Sequence, residues 1–176
     1  EAIKRIYAST FYKAPKTLLS QFIQRHEEEK MAVIIMEMTG KKHNDRFYPT
    51  FSGVAQSHNY YPVSHMKRNQ GIGFIALGLG KTIAEGKKSL RFSPYYPHII
   101  SQFYSSNTLL ENSQNQFFAL DLNNGDNPML KGEIENLSLY NLDIAEKDGE
   151  LKYLASVFDT NDNVVRDSLK NDGPRV

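Results

Sequence analysis

Apolar residues recur along this chain with two different periods, and the switches between them outline its elements. Ile3, Ile6 and Tyr7 fall on one face at helical spacing, as do Leu18, Leu19, Phe22 and Ile23, with Pro15 punctuating between the two runs. Residues 26–30 are a charged stop. Residues 31–38 (Met-Ala-Val-Ile-Ile-Met-Glu-Met) are too continuously apolar for a surface strand, so the pattern predicts a central one covered on both faces, with Glu37 its only charge. Residues 40–51 read as a polar loop carrying Lys41, Lys42, His43, Asp45 and Arg46. Strands are expected near 51–57 and 71–77, with a short helix near 81–87.

Beyond Pro97 the character changes. Asn and Ser are dense through 105–116, residues 116–122 read as a strand, and residues 123–127 are a turn by composition. Residues 137–145 and 150–158 flank Asp148-Gly149, the dipeptide of a hairpin turn. A polar turn at 159–163 then precedes Val164-Val165. The expected organisation is α+β: residues 1–100 as one unit with a mixed or antiparallel sheet and flanking helices, and residues 101–176 as a β-rich hairpin extension, packed on the same core or apart from it.

Glycines concentrate in the middle of the chain. Gly71 and Gly73 precede an apolar run, Gly78 and Gly80 follow it, and Lys81-Thr82 come next. Glycine suits places where a Cβ would block a turn or an approaching ligand. A strand, a glycine bend and a helix start together offer free amides to phosphate. Gly80-Lys81-Thr82 imitates the end of a Walker A loop, but that pattern needs glycine at position 75 and Ile75 stands there.

Composition narrows the classes. The 176 residues are 40% hydrophobic and 23% charged, enough for one core or two small ones. A formal net charge of +1 gives no reason to expect nucleic acid or an anionic membrane, and no apolar run approaches a membrane span. With no cysteine there is neither a disulfide framework nor a thiol nucleophile, which fits the cytoplasm. His58 and His65 lie seven apart in a Tyr/Pro loop, and no histidine pair has metal-clip spacing. Residues 159–163 begin like a calcium loop, but Val164 and Lys170 occupy the places of its glycine and closing glutamate. Tyr60, Tyr61, Tyr95, Tyr96, Phe103 and Tyr104 cluster round the glycine-rich core, and most of them read as packing rather than as base-stacking surfaces.

Four segments in order resemble the nucleotide-binding region of the phosphoenolpyruvate synthase and pyruvate phosphate dikinase family. They are Ile3-Lys4-Arg5-Ile6-Tyr7-Ala8-Ser9, residues 31–38, Ser52-Gly53-Val54-Ala55, and Gly78-Leu79-Gly80 with Ile83-Ala84-Glu85-Gly86. The resemblance covers about the first hundred residues. It implies part of an ATP-grasp fold, with ATP as partner, magnesium as the parent's companion ion, and phosphate passed to a histidine on a separate domain. By position it implies that Glu37 and Met38 border the adenine and that Gly78, Gly80 and Lys81 approach phosphate or ribose. Other readings stand beside these: Glu37 as an ion-paired carboxylate, the glycines as close strand–helix packing, Lys81 as a solvated first-turn lysine.

This chain departs from the family pattern in two respects. Asn59-Tyr60 stands where Asp-Pro or Asn-Pro is usual, and Gly73 and Leu77 stand where the family strand brings a glutamate and an asparagine to nucleotide and metal. The chain starts at Glu1 within a helical pattern and stops at Gly173-Pro174-Arg175-Val176, which reads as a piece cut from a longer polypeptide. The expectation is one wall of an ATP site, inactive alone and holding no cofactor tightly, whose partners are ATP and the parent's remaining domains. The alternative is a degenerate module kept as a nucleotide-binding scaffold or interaction domain, with residues 101–176 as an interaction surface in a weaker variant.

Overall fold

The computed structural model describes residues 2–19, 30–63, 65–100, 105–123, 136–171 and 173–175. The chain divides into two units, Glu1–Met38 and Thr39–Val176.

In the first unit α1 spans Ala2–Ser9 and α2 spans Lys13–Leu19. Pro15 sits within the first turn of α2 rather than between the helices, where its missing N–H costs no intrahelical bond. Phe22, Ile23 and residues 26–29 of the charged stop lie outside the described residues. The central strand expected at 31–38 is not found. These residues form no ladder among the described residues, and Ile34, Ile35 and Met36 are 82%, 78% and 83% exposed. Apolar, β-branched composition expresses a preference for a strand, but a strand exists only where neighbouring backbone pairs with it.

Among the described residues the second unit carries three antiparallel sheets, giving an α+β architecture. Its start corrects the loop expected at 40–51. There β1 (Lys41–His43) and β2 (Arg46–Tyr48) form a hairpin in which His43 faces Arg46 across Asn44-Asp45. Asn44 takes the left-handed conformation (φ 51°) that this residue type tolerates. The charges that resembled a loop belong to a sheet-edge strand, where lysine discourages unwanted pairing. Next to β2 lies β6 (Gln116–Asp121), which pairs on its other side with β7 (Leu137–Asn141). Residues on either side of position 100 thus share one four-stranded sheet, in the order β1-β2-β6-β7.

The three-stranded sheet places β4 (Ile72–Leu77) between β3 (Phe51–Gln56) and β5 (Leu90–Phe92). These strands match the pattern expected at 51–57 and 71–77. Leu77, at the end of β4, joins Tyr48, Leu79, Phe117, Phe118, Ala119, Ala145 and Leu151 in the core. The Tyr48 and Phe117 rings sit 4.8 Å apart.

Two helices were not legible from composition. The Asn/Ser-rich stretch contains α4 (Ser106–Asn112), which follows α3 (Lys81–Ala84) in the chain and is started by a capping box between Ser105 and Thr108. Asp148-Gly149 does not turn a hairpin. It ends α5 (Leu142–Lys147), with Gly149 at φ 78° and the Glu150 amide returning to the Ala145 carbonyl at 3.0 Å, a glycine helix stop. Beyond it, β8 (Ser156–Asp159) and β9 (Val164–Asp167) pair around the polar turn expected at 159–163.

Candidate functional site

The glycine bend follows directly from β4, and one side-chain contact and one backbone contact fix where that strand stops. Past Ile75 the short β5 no longer pairs with β4. Gln114 takes its place: the Leu77 N–H donates to Gln114 Oε1 (2.8 Å) and Gln114 Nε2 donates to the Leu77 carbonyl (3.1 Å). A carboxamide has the donor and acceptor of a peptide, so it serves as one residue of a neighbouring strand. The Leu79 amide then donates to the Phe118 carbonyl at 2.9 Å, tying the bend to β6.

The two glycines of the bend differ. Gly78 has φ 80°, and a Cβ there would lie 2.7 Å from the Phe118 carbonyl oxygen and 2.8 Å from the Phe117 ring. Close packing by the chain itself accounts for it. Gly80 is exposed, with ordinary helical backbone, and a Cβ there would reach nothing nearer than the Ser52 hydroxyl at 3.8 Å. Packing makes no demand for glycine at 80. The amides of Gly80 and Lys81 also find no acceptor among the described residues. The helix after the bend is a single turn rather than one running through 81–87, so its dipole is small and any anion would be held by these individual amides.

The Lys81 ammonium lies 3.3 Å from Glu85 and 5.0 Å from the centre of the Phe118 ring, so it is partly neutralised along its own helix. Lys87 stands over the same ring at 4.9 Å. Glu37 and Met38, in the first unit, are exposed on a stretch that forms no ladder among the described residues. Gly73 lies beneath the Phe92 ring, which a Cβ would meet at 2.6 Å, and Leu77 is buried. Neither has a side-chain oxygen to offer a cation, so these β4 side chains do not fit magnesium. Among the described residues no group of three His, Asp or Glu side chains has metal-holding geometry.

A second charged constellation went unread because residues 40–51 passed for a loop. Arg46 grips Asp148 with two N–H groups, Nη2 to Oδ1 at 2.9 Å and Nε to Oδ2 at 3.4 Å, and the Tyr48 hydroxyl donates to Oδ2 at 2.7 Å. Nearby, Lys41 Nζ and His43 Nε2 approach the buried Glu150 carboxylate at 3.2 and 3.5 Å. Burial pushes the Asp148 carboxyl up, but the hydrogen bonds from Arg46 and Tyr48 outweigh it and hold it below its ordinary value of 3.8. Glu150 is likewise held below 4.5, where hydrogen bonding and the Lys41 and His43 charges overcome burial. Burial first, then the bond to Asp148, drives the Tyr48 phenol far up. Asp148 is satisfied by Arg46 and Tyr48, whereas His43 Nε2 and Glu150 Oε2 are buried without a hydrogen-bond partner among the described residues; together the two pairs clamp the β1–β2 hairpin onto the end of α5, a structural task. The alternation Lys-Lys-His, Asn-Asp, Arg-Phe-Tyr at 41–48 was the signal that would have found them.

At the calcium-like turn, Arg166 bonds Asp159 (2.9 Å) and Asp162 (2.6 Å), so its carboxylates are already paired.

A family model described as pyruvate phosphate dikinase, AMP/ATP-binding domain, matches residues 1–127. No curated protein and no solved structure matches the chain.

Proposed function

Because the chain belongs to the pyruvate phosphate dikinase family through its AMP/ATP-binding domain, we propose that it contributes one wall of an ATP site in a phosphoenolpyruvate synthase-like phosphotransferase. The parent reaction would use ATP and pyruvate to form phosphoenolpyruvate through a phosphohistidine. The observation that carries this reading is the contrast within the bend. Gly78 is explained by packing, whereas Gly80 keeps an open, Cβ-free surface, and the Gly80 and Lys81 amides find no acceptor among the described residues. In this reading a phosphate or ribose lies against Gly80 and the Lys81 amide, and Lys81 leaves Glu85 when the anion arrives. The assignment of Glu37 and Met38 to the adenine edge rests on the resemblance alone.

The chain by itself is expected to bind ATP weakly and turn over none, because phosphoryl transfer is mainly positioning and magnesium placement, which β4 cannot supply. Calorimetric titration with ATP and an assay of phosphate release test both halves. Robust magnesium-dependent turnover would overturn the reading, as would ATP affinity unaffected by Gly80→Val.

A second reading is favoured by Gly73 beneath Phe92 and the buried Leu77, which replace polar positions of the family strand. The parent would then keep this wall as a nucleotide-binding scaffold without catalysis. ATP affinity in the full-length parent, with no phosphohistidine formed, would favour it. Among the described residues no helix is long and apolar enough to cross a membrane.

A further inference from the structure

Two copies of Tyr-Tyr-Pro, at 60–62 and 95–97, are brought to the same end of the three-stranded sheet. The first lies in the loop leaving β3, the second in the turn leaving β5. Arg91 on β5 donates to the Tyr61 carbonyl and to the buried Asn59 amide oxygen (3.4 Å for the latter), and the His65 ring meets the Tyr96 ring edge-on at 4.8 Å. Of the six aromatics read mostly as packing, Phe103 and Tyr104 lie outside the described residues, and the four tyrosines are exposed. Tyr60, Tyr61, Tyr95 and Tyr96 are 67%, 80%, 67% and 39% exposed, presented on loops stiffened by proline.

Residues 46–110 hold seven Lys and Arg against a single acidic residue, Glu85; Arg46 pairs with Asp148, and Lys81 and Lys87 pair with Glu85 at the other end of β4. Next to the first tyrosine pair, Lys67 and Arg68 are exposed and no carboxylate pairs with them among the described residues. Exposed aromatic faces beside cations that no carboxylate among the described residues pairs with are the footprint of a surface for single-stranded nucleic acid. Bases stack on the rings while lysine and arginine follow the phosphates. Tyr60 and Tyr96 each meet a histidine ring edge-on, His58 and His65; an acidic protein would use the cations but would have no comparable use for the exposed tyrosine faces.

We propose that the paired Tyr-Tyr-Pro loops form a binding surface for single-stranded nucleic acid. It lies about 20 Å along β4 from Gly80, given the rise of a six-residue strand, and does not depend on the ATP reading.

The test is fluorescence anisotropy of the whole chain with a labelled twelve-nucleotide oligouridylate, its duplex, and polyglutamate as competitor. Saturable binding is expected, with log affinity against log salt falling at a slope of about −2, as a few phosphate contacts require. Duplex should bind more weakly and polyglutamate should compete poorly. Tyr61→Ala with Tyr95→Ala should weaken binding about tenfold or more, and Lys67→Glu with Arg68→Glu should abolish it. Both variants should retain wild-type thermal unfolding and ATP affinity, which separates failure of this surface from failure of the nucleotide wall. No saturable binding, duplex bound as tightly as single strand, or polyglutamate competing equally in a manner indifferent to the tyrosines would each overturn the proposal. The last result would identify an acidic protein as the occupant.

Discussion

Residues 31–38 and β6 have nearly the same claim to be a central strand, yet only one of them is. Each is a short apolar run with at most one charge at its end or near it. β6 pairs with β2 on one edge and β7 on the other, and Phe117, Phe118 and Ala119 are buried in succession. Residues 31–38 have no ladder among the described residues and expose three consecutive large side chains. The sequence of a strand expresses what its side chains would bury. Whether they are buried depends on partners elsewhere in the chain, which local pattern does not encode.

The largest effect expected from this contrast is at Phe117. Phe117→Ala should cost about 3–5 kcal/mol in urea unfolding, because it empties a site packed by Tyr48 and Tyr140. A loss below about 1 kcal/mol would mean that β6 is not the centre of the core.

Next is the clamp beside it. Asp148→Asn leaves Arg46 without its carboxylate and should cost about 3 kcal/mol. Asp148 and Glu150 both have folded values below their ordinary 3.8 and 4.5, so the unfolded chain binds more protons as pH falls. Their stabilisation is therefore complete above about pH 5, and it is lost as pH drops through the unfolded and then the folded values. Urea midpoints at pH 7, 4 and 3 should fall steeply for the parent chain and less for Asp148→Asn. An equal slope in both would remove Asp148 from the account.

The bend gives a smaller and internally controlled pair. Gly78→Ala should cost about 2 kcal/mol from the left-handed backbone and the contact with the Phe118 carbonyl. Gly80→Ala should change stability by less than about 0.5 kcal/mol. Equal costs would mean that Gly80 is glycine for packing as well. The smallest effect is at Ile35, where Ile35→Lys should leave thermal unfolding within about 0.5 kcal/mol of the parent, since the side chain is already in water. A loss of several kcal/mol would show that residues 31–38 are covered after all.

Much of the second unit was legible in local pattern. β3, β4 and β6 lay where alternating or apolar runs placed them, and the 159–163 turn followed from its composition. The errors have a common cause. Asp148-Gly149 serves equally to turn a hairpin or to end a helix, and only the Glu150 amide returning to Ala145 decides. The β1–β2 hairpin was concealed by charges whose partners, Asp148 and Glu150, lie about a hundred residues away. At the bend, the sequence indicated a place of close approach but not what approaches. Side-chain geometry now separates Gly78, enclosed by Phe117 and Phe118, from Gly80, which is open. Gln114, which stops β4 at the right place, had no signal beyond its setting in a polar stretch.

The claim that the nucleotide meets backbone at the open half of the bend is tested most directly by amide chemical shifts during ATP titration. The account predicts that the Gly80 and Lys81 amides move in a saturable way while that of Leu79, bound to the Phe118 carbonyl, moves little. Saturation of ATP binding with the Gly80 and Lys81 signals unmoved would contradict it.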